Sequence, residues 1–385
     1  MKKKILVTST DLMMIQFLVP HIIYLSENGF KIDIACSNVG GRMDEVREKL
    51  KDYVEKIHIV RLERNPFSLN NLNGYKDMKK LLDENKYDLI WTNEPVMGVI
   101  TRLAARKTRK NGAKVLYMAH GFHFCKGAPL IDWLMWAPIE YIMSYFNDIL
   151  VTINWEDYNR AKKFLKTPDV LHLDGIGVDL SRYNCSCSRP EKRSQLGISD
   201  NDILLLSVGE LEKRKNHELT IKALSKIENS NVKCIICGIG SLEKELKNLV
   251  SSLGLENRVV FLGYRKDIPE IMLASDIYAH PSLREGLGIA SLEAMASGLP
   301  LLTSNTRGIS DYIENGINGF MCDPYDVESY AKNLEKLASD EILRNSISEK
   351  NLLKVQQYKI EIIKPALKEL LENSLSEQKE YAKVN

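Results

Sequence analysis

The sequence predicts an α/β protein built from two Rossmann-like, doubly wound domains, and three observations lead to this fold class. The chain has 385 residues, which is long for one hydrophobic core and ample for two. Short apolar runs alternate with helical patterns in both halves, as in parallel sheets whose strands are joined by helices. A polar segment, 181–202, interrupts the alternation, which restarts beyond it, and 174–202 is predicted to be the linker.

Two series of strands follow from these apolar runs. The first half is predicted to contain strands at 4–9, 31–36, 57–61, 88–92, 114–119, 148–152 and 170–173. The second half is predicted to contain strands at 203–209, 232–238, 258–263, 276–281 and 300–304. Helical patterns lie between them, for example at 15–27, 71–85 and 96–110. We assign residues 1–180 and 181–357 to separate domains, with ligands expected in the cleft at the carboxyl ends of both sheets.

Composition excludes several classes of protein. A net charge of +2 argues against a nucleic-acid binder, and 44% apolar with 27% charged residues is ordinary for a globular protein. The seven cysteines are scattered and read as reduced thiols of a cytoplasmic protein, with no spacing typical of a metal site. The longest apolar stretch, Ala128–Phe146, is interrupted by Asp132, Pro138 and Glu140, so it is not expected to span a membrane.

The segment after the fourth strand of the second domain carries the strongest functional signals. Gly286 and Gly288 let the backbone approach a ligand, and a helix predicted to start near Ile289 offers free N–H groups to an anion. Glu285 in the loop and Glu293 in the helix are placed to reach opposite ends of a ligand whose phosphates rest on the helix N-terminus. Carboxylates suit sugar hydroxyls because they accept O–H hydrogen bonds.

A second segment, after the first strand of the same domain, brings cations to the same sheet edge. Gly209 permits a tight turn, and Lys213, Arg214 and Lys215 follow it. Such cations neutralise the charge that develops on a diphosphate leaving group, although three clustered cations also occur on ordinary surfaces. The turn at 237–241, CGIGS, is either part of this site or only a tight connection.

In the first domain, His120 and His123 follow the strand predicted at 114–119. A metal site is not favoured because no carboxylate or third His lies nearby at ligand spacing. A lone His is more often structural, but Gly121 and the location at the strand end favour contact with the substrate. The aromatic stretch 124–146 is either core or a membrane-facing surface. It adjoins basic residues that form either a solvated helix face or a surface attracted to anionic lipid: Arg102, Arg106, Lys107, Arg109, Lys110 and Lys114.

Together these motifs resemble the retaining glycosyltransferases of family 4, which have the GT-B fold. The Glu-x7-Glu element at 285 and 293, the VGEL…KNH segment, the CGxG turn and the VxFLGYxxDIP run occur in the family's order, and the resemblance covers nearly the whole chain. Residues 87–160 are similar to bacterial enzymes of exopolysaccharide and capsule assembly. The resemblance implies two domains facing each other across a cleft, with the helical tail 358–385 crossing back to the first domain.

The resemblance also implies a reaction. A hexosyl or N-acetylhexosaminyl group would move with retention from a nucleotide-sugar, expected to be a UDP-sugar, without a cofactor or metal ion. The acceptor would be a lipid-linked saccharide at the inner face of the cytoplasmic membrane, to which the enzyme would be peripheral. Alternatives are a nucleotide-sugar epimerase of the same fold and a non-catalytic nucleotide-sugar-binding subunit.

Site roles carry over by position. Lys215 would bind the diphosphate, Glu285 the donor sugar and Glu293 the ribose, while His120 would approach the sugar from the first domain. Further donor-binding positions are Gly209, Glu210, Arg214, Gly238, Tyr264, Gly286, Leu287, Gly288, Ile289 and Ala290. Acceptor-side positions are His123 and Gln16. The family has Arg at the position of Glu210, so we expect Arg214 to substitute for it.

Overall fold

The computed structural model describes residues 2–38, 43–183 and 187–376. It divides into unit 1, residues 1–177 with 360–385, and unit 2, residues 178–359. Cys185 and the tail residues 377–385 lie outside the described residues. The predicted fold class is confirmed, because each unit is a parallel sheet flanked by helices.

Unit 1 is built on seven strands in the order β3-β2-β1-β4-β5-β6-β7. Its strands are β1 Lys4–Asp11, β2 Lys31–Ser37, β3 Lys56–Ile59, β4 Leu89–Asn93, β5 Lys114–Ala119, β6 Ile149–Thr152 and β7 Asp169–His172. Its first helices are α1 Leu12–Glu27, α2 Met43–Leu50, α3 Asn70–Glu84, α4 Pro95–Ala104, α5 Arg106–Lys110, α6 Leu130–Met143 and α7 Trp155–Phe164. The order reverses at β1, where Ile5 lies opposite Ile32 on one side and Leu89 on the other.

Unit 2 is built on six strands in the order β10-β9-β8-β11-β12-β13. Its strands are β8 Ile203–Val208, β9 Val232–Cys237, β10 Val259–Gly263, β11 Ile277–His280, β12 Leu301–Ser304 and β13 Gly319–Cys322. Its helices are α8 Arg189–Gln195, α9 His217–Leu224, α10 Glu243–Ser252, α11 Ile268–Ala274, α12 Ile289–Ala296, α13 Val327–Ser339 and α14 Glu341–Lys354. The strand order reverses between β8 and β11, which is where ligands bind in open α/β sheets.

The last helix returns to unit 1. This helix, α15 Ile360–Leu375, packs on α1 and buries Ile363, Leu367 and Leu371. Their spacing of four residues puts these side chains on one face of the helix, so the apolar stripe explains why the tail docks. The described part of the tail that forms α15 therefore belongs to unit 1, as the GT-B resemblance implies.

Three local predictions differ from the structure. The segment 174–202, expected to be a linker, contains α8, which begins with Ser188 capping the backbone N–H of Glu191. The helix expected at 96–110 is two helices that meet at Ala105. Strand β13 was not predicted, because only four residues, GFMC, carry its signal.

The prediction that Arg102 belongs to a basic surface is wrong. Its side chain is only 1% exposed, and its guanidinium makes two bonds to Glu140 of α6, at 2.8 and 3.1 Å. It also stacks 4.1 Å from the ring of Tyr117 and donates to the Gly98 carbonyl. Buried Arg side chains need such partners, so Arg102 joins α4 to α6 instead of facing solvent.

Candidate active site

The carboxyl edge of the unit 2 sheet brings the two predicted segments together. The loop after β8 and the loop after β11 are tied by a hydrogen bond from the Leu283 backbone N–H to the Arg214 carbonyl, 2.8 Å. Asn216, whose φ of 55° is left-handed, donates through its side chain to the Pro281 carbonyl at 3.0 Å. Asn tolerates this conformation better than most residues, which lets the KNH segment turn sharply into α9.

Glu285 lies where these loops meet. Its Oε1 is 2.7 Å from Lys215 Nζ and 3.5 Å from an Arg214 nitrogen, and its side chain is 9% exposed. The same oxygen is 3.1 Å from Nε2 of His280, the last residue of β11. Arg307 donates to the Glu285 carbonyl at 2.9 Å and so fixes the loop backbone as well. Three side chains thus converge on one carboxylate oxygen.

These neighbours keep the Glu285 carboxyl ionised. Burial raises the pKa of its carboxyl, but the His280 hydrogen bond and the charges of Lys215 and Arg214 outweigh burial and bring the pKa below its usual range. Burial also lowers the pKa of His280, so its ring is neutral and donates through Nε2. The result is an ionised carboxylate beside two cations, which suits a ligand carrying both hydroxyls and negative charge.

The start of α12 forms an anion-binding position next to Glu285. Gly288 has a left-handed φ of 79°, and a Cβ there would lie 2.5 Å from Ile309 Cδ1. Tyr312 donates its hydroxyl to the Leu287 carbonyl at 2.9 Å, which holds the loop at the helix entry. The first N–H groups of a helix have no intrahelical acceptor, so those of Ile289 and Ala290 are suited to donate to a phosphate.

The two glycines of the CGxG turn allow the backbones of neighbouring loops to pack closely. A Cβ at Gly238 would lie 1.8 Å from the Gly209 carbonyl oxygen, and one at Gly240 would lie 2.5 Å from the Leu211 oxygen. The loops after β8 and β9 therefore touch backbone to backbone. A Cβ at Gly209 would lie 3.3 Å from the Lys215 side chain, so that glycine makes room for the lysine stem.

Other predicted donor positions are more exposed. Glu210 is 64% exposed and pairs with Arg214 at 3.6 Å. Tyr264, after β10, is 52% exposed. Gly286 is half-buried beside Glu285. Arg214 thus pairs with both Glu210 and Glu285, and its substitution for the family's Arg stays a prediction.

Glu293 lies apart from this cluster, one turn into α12. Its partners come from a 3-10 helix, Leu180–Tyr183: Tyr183 shares a hydrogen bond with it, and Arg182 Nη1 lies 3.9 Å from Oε1. Burial raises the pKa of the Glu293 carboxyl, while Tyr183 and Arg182 oppose that rise. The two predicted carboxylates therefore have opposite pKa shifts.

In unit 1 the predicted residues have separate surroundings. His120, just after β5, is 2.9 Å from Asn93 Oδ1, and burial lowers its pKa to about 4. His123 is exposed and stacks on Trp136, with 4.8 Å between ring centroids. Gln16 is half-buried on α1.

A further polar group, Glu94 at the carboxyl edge of the unit 1 sheet, was not predicted. Glu94 has a φ of 64°, which is unusual for a residue with a side chain, and accepts hydrogen bonds from Ser9 Oγ at 2.6 Å and Thr10 N at 2.7 Å. The available signal was the position of Asn93 and Glu94 at the end of β4. For His280, the signal was its place at the end of β11.

Comparisons with known proteins agree with this architecture. The family model described as "Glycosyl transferase 4-like" matches residues 5–154, and the model described as "Glycosyl transferases group 1" matches residues 188–353. Glycosyltransferase EpsD of Bacillus subtilis (strain 168) is 35% identical over 344 residues, 88% of each chain. The UDP-Gal:alpha-D-GlcNAc-diphosphoundecaprenol alpha-1,3-galactosyltransferase of Escherichia coli is 29% identical over 334 residues, 85% of this chain and 84% of the relative.

Solved structures are similar over almost the whole length. HepE of Anabaena, in complex with UDP and glucose, has a TM-score of 0.80 at 21% identity and covers 96% of this chain and 100% of its own. Sucrose-phosphate synthase of Thermosynechococcus elongatus has a TM-score of 0.79 at 16% identity, with 97% and 99% covered. The fold and the matched regions define a GT-B glycosyltransferase. The chain belongs to the glycosyltransferase family that includes EpsD.

Proposed function

We propose that this chain transfers a hexosyl or N-acetylhexosaminyl group, with retention, from a UDP-sugar to a lipid-linked saccharide in exopolysaccharide or capsule biosynthesis. The observation that carries the proposal is the ionised Glu285 carboxylate beside Lys215 and Arg214 at the entry to α12. The name of the E. coli relative supports the donor and acceptor classes, and the complex of HepE with UDP and glucose supports the donor class.

Each residue of this cluster has a chemical task in the proposal. Glu285 accepts hydrogen bonds from donor-sugar hydroxyls. Lys215 has three N–H donors, so it can keep Glu285 and still bind a phosphate oxygen, and Arg214 adds a second cation. These cations and the α12 N-terminus stabilise the diphosphate as its bond to the sugar breaks, which is the task a metal ion performs in other enzymes. His120 is the proposed contribution of unit 1.

The experiment uses the purified chain, labelled UDP-sugars and lipid-linked saccharides extracted from membranes. We expect one donor to transfer label to lipid, the product to keep the donor's anomeric configuration by NMR, and EDTA to leave the rate unchanged. Isomerised sugar formed from donor alone would indicate an epimerase. Donor binding without turnover would indicate a non-catalytic subunit. Loss of activity in EDTA with recovery in manganese would overturn metal independence.

Peripheral attachment to the inner face of the cytoplasmic membrane is part of the same proposal, and α6 is its main support. One face of α6 is buried through Trp136, Glu140 and Met143. Its other face exposes large apolar side chains, continued by Tyr145: Leu130, Ile131, Leu134, Tyr141 and Ile142. An exposed apolar surface of this kind marks a contact with a membrane or with another protein, and we assign this one to the membrane interface.

Basic residues of α5 adjoin the far end of this apolar face. Arg109 donates to the Tyr145 carbonyl at 2.7 Å, and the Arg106 guanidinium lies 5.2 Å from the ring of Phe146. Arg106 and Lys110 are exposed, so positive charge borders the apolar face, an arrangement that favours anionic lipid. In the part of the chain that the structure describes, no helix is long and apolar enough to span a bilayer.

A further inference from the structure

The surroundings of Glu293 include a contact that the proposed reaction does not yet use. Tyr183 and Arg182 both lie on the 3-10 helix Leu180–Tyr183, which packs against α12. The Tyr183 hydroxyl shares a hydrogen bond with the Glu293 carboxylate, and Arg182 Nη1 lies 3.9 Å from its Oε1. The Glu293 side chain is 23% exposed, so it is held from one side and still open to solvent on the other.

We propose that Tyr183 is a positioning residue of the nucleotide site, whose hydroxyl holds the Glu293 carboxylate in the orientation that receives the ribose hydroxyls. The inference rests on the proposed function, in which Glu293 binds the nucleotide ribose. Glu293 is the fifth residue of α12, about 6 Å along the axis from the helix entry. That rise separates a ribose contact on Glu293 from a diphosphate bound at the first N–H groups.

The contact between Tyr183 and Glu293 strengthens nucleotide binding by fixing the Glu293 side chain before the ligand arrives. A glutamate side chain has three rotatable torsions, and fixing them only when ligand binds weakens affinity. A hydroxyl that already holds one carboxylate lone pair leaves the remaining lone pairs aimed outward for two ribose O–H groups. Tyr183 is well suited to this task because it is half-buried on a 3-10 helix that packs against both α11 and α12, so its side chain loses little freedom on binding.

The protonation states support the direction of this hydrogen bond. Burial, with the charge of Glu293, raises the pKa of the Tyr183 phenol far above its usual value, so the phenol stays protonated and donates. The charged and titratable groups that face Glu293 are Arg182, Tyr183 and Tyr278 of β11. Burial raises the pKa of Glu293 and the Tyr183 hydrogen bond opposes the rise. Removing the hydroxyl therefore moves protonation of Glu293 to higher pH.

The test measures UDP dissociation constants by calorimetry at about pH 8 and about pH 5. The variants are Y183F, E293Q, the double variant Y183F/E293Q, and Y325F as a matched control at an exposed tyrosine. We expect Y183F to weaken UDP binding about 5- to 10-fold at the higher pH, and more at the lower pH. In the E293Q background, Y183F should change nothing at either pH. The titration of UDP itself cancels, because all variants bind the same ligand.

Several outcomes would overturn the inference. Parent-like UDP affinity of Y183F at both pH values would leave Tyr183 as packing only. Tighter binding by Y183F would make its hydroxyl a competitor of the ribose. An equal loss with and without Glu293 would mean that Tyr183 acts independently of the carboxylate. If the parent binds none of UDP, GDP and ADP, the proposed function itself fails. Thermal unfolding of each variant separates these outcomes from loss of fold.

Discussion

Glu140 in unit 1 and Glu285 in unit 2 are both buried and both paired with basic side chains, yet their partners are arranged differently. Glu140 is 3% exposed, and Arg102 bonds to both of its oxygens in a fork. The Tyr117 hydroxyl adds a third contact at 3.3 Å. Glu285 instead receives His280, Lys215 and Arg214 on one oxygen, and Arg214 is 42% exposed.

The difference separates a structural ion pair from a functional one. The fork between Arg102 and Glu140 is closed off from solvent and joins two helices, so its donors and acceptors are satisfied within the protein. Around Glu285, Lys215 and Arg214 share one carboxylate oxygen, and Arg214, which also pairs with Glu210, remains partly open to solvent. Cations that are still open to solvent at a sheet's carboxyl edge can attract and bind an anion. Disrupting the Arg102–Glu140 pair should therefore lower stability, whereas disrupting the Glu285 cluster should lower activity.

The largest effect is expected from Arg102→Met, which removes the charge and keeps most of the volume. It leaves the Glu140 carboxylate buried without its cation, so the free energy of unfolding should fall by about 3–5 kcal/mol. Transfer activity per folded molecule should stay close to that of the parent. Chemical denaturation and an active-site-normalised assay measure the two properties.

Two variants check the reason for this loss. The exposed Arg106→Met should change stability little, and the double variant Arg102→Met/Glu140→Leu should recover most of the lost stability because no unpaired charge remains. If Arg102→Met unfolds no more readily than Arg106→Met, the buried pair does not stabilise unit 1.

Glu285→Gln is expected to give the opposite pattern. Losing a charged acceptor for sugar hydroxyls should cost about 1.5–3 kcal/mol of transition-state stabilisation, which lowers kcat/KM roughly 10- to 150-fold. Thermal stability should change much less. Glu218→Gln on α9 is a matched control, since that side chain is exposed and pairs only with solvent-facing Lys222 among the contacts described. Full activity of Glu285→Gln would remove Glu285 from the active site.

A third carboxylate extends the comparison to binding. Glu293→Ala should weaken nucleotide affinity by about 1.5–3 kcal/mol while slowing the chemical step less, because its proposed partner is the ribose and not the reacting sugar. Affinity for UDP by calorimetry and single-turnover rates at saturating donor distinguish the two. A loss confined to the single-turnover rate would contradict the ribose assignment.

The fold was predictable because its signals are local. Most core strands are short apolar runs ended by a polar or glycine residue, as in Ile149–Val151 before Thr152, and period and length suffice to find them. Strand β13 and helix α8 were missed because four residues, or a polar helix capped by Ser188, carry little periodic signal. The C-terminal helix was visible as a helical pattern, but its return to unit 1 was predicted only from the resemblance.

The site was only partly predictable, since spacing finds residues but not their partners. The segments carrying Lys215 and Glu285 could be placed at one sheet edge, because both follow neighbouring strands. No spacing rule links Tyr183 to Glu293, which are 110 positions apart, or reveals that Arg102 is buried against Glu140. Those contacts depend on how helices pack, and a basic residue within a run of basic residues looks the same whether it faces solvent or the core.

The smallest effect is expected at the membrane-facing surface proposed on α6. This is the helix that the buried Glu140–Arg102 pair holds in unit 1. The Lys107 and Arg109 side chains already pair with Asp83 and Asp148, so Arg106 and Lys110 are the better residues to neutralise. Arg106→Gln with Lys110→Gln should weaken binding to anionic vesicles by about 1 kcal/mol per residue.

Salt separates this charge attraction from the apolar contact on α6. Because screening acts within roughly 8 Å at physiological ionic strength, the charge effect should shrink as salt rises. The apolar contact through α6 should persist, so Leu130→Ser with Leu134→Ser should remove the salt-resistant fraction while donor hydrolysis stays intact. Sedimentation with vesicles of phosphatidylglycerol, against neutral phosphatidylcholine, measures both fractions. If both double variants bind anionic vesicles like the parent, α6 is not the docking surface, and its exposed leucines serve some other contact.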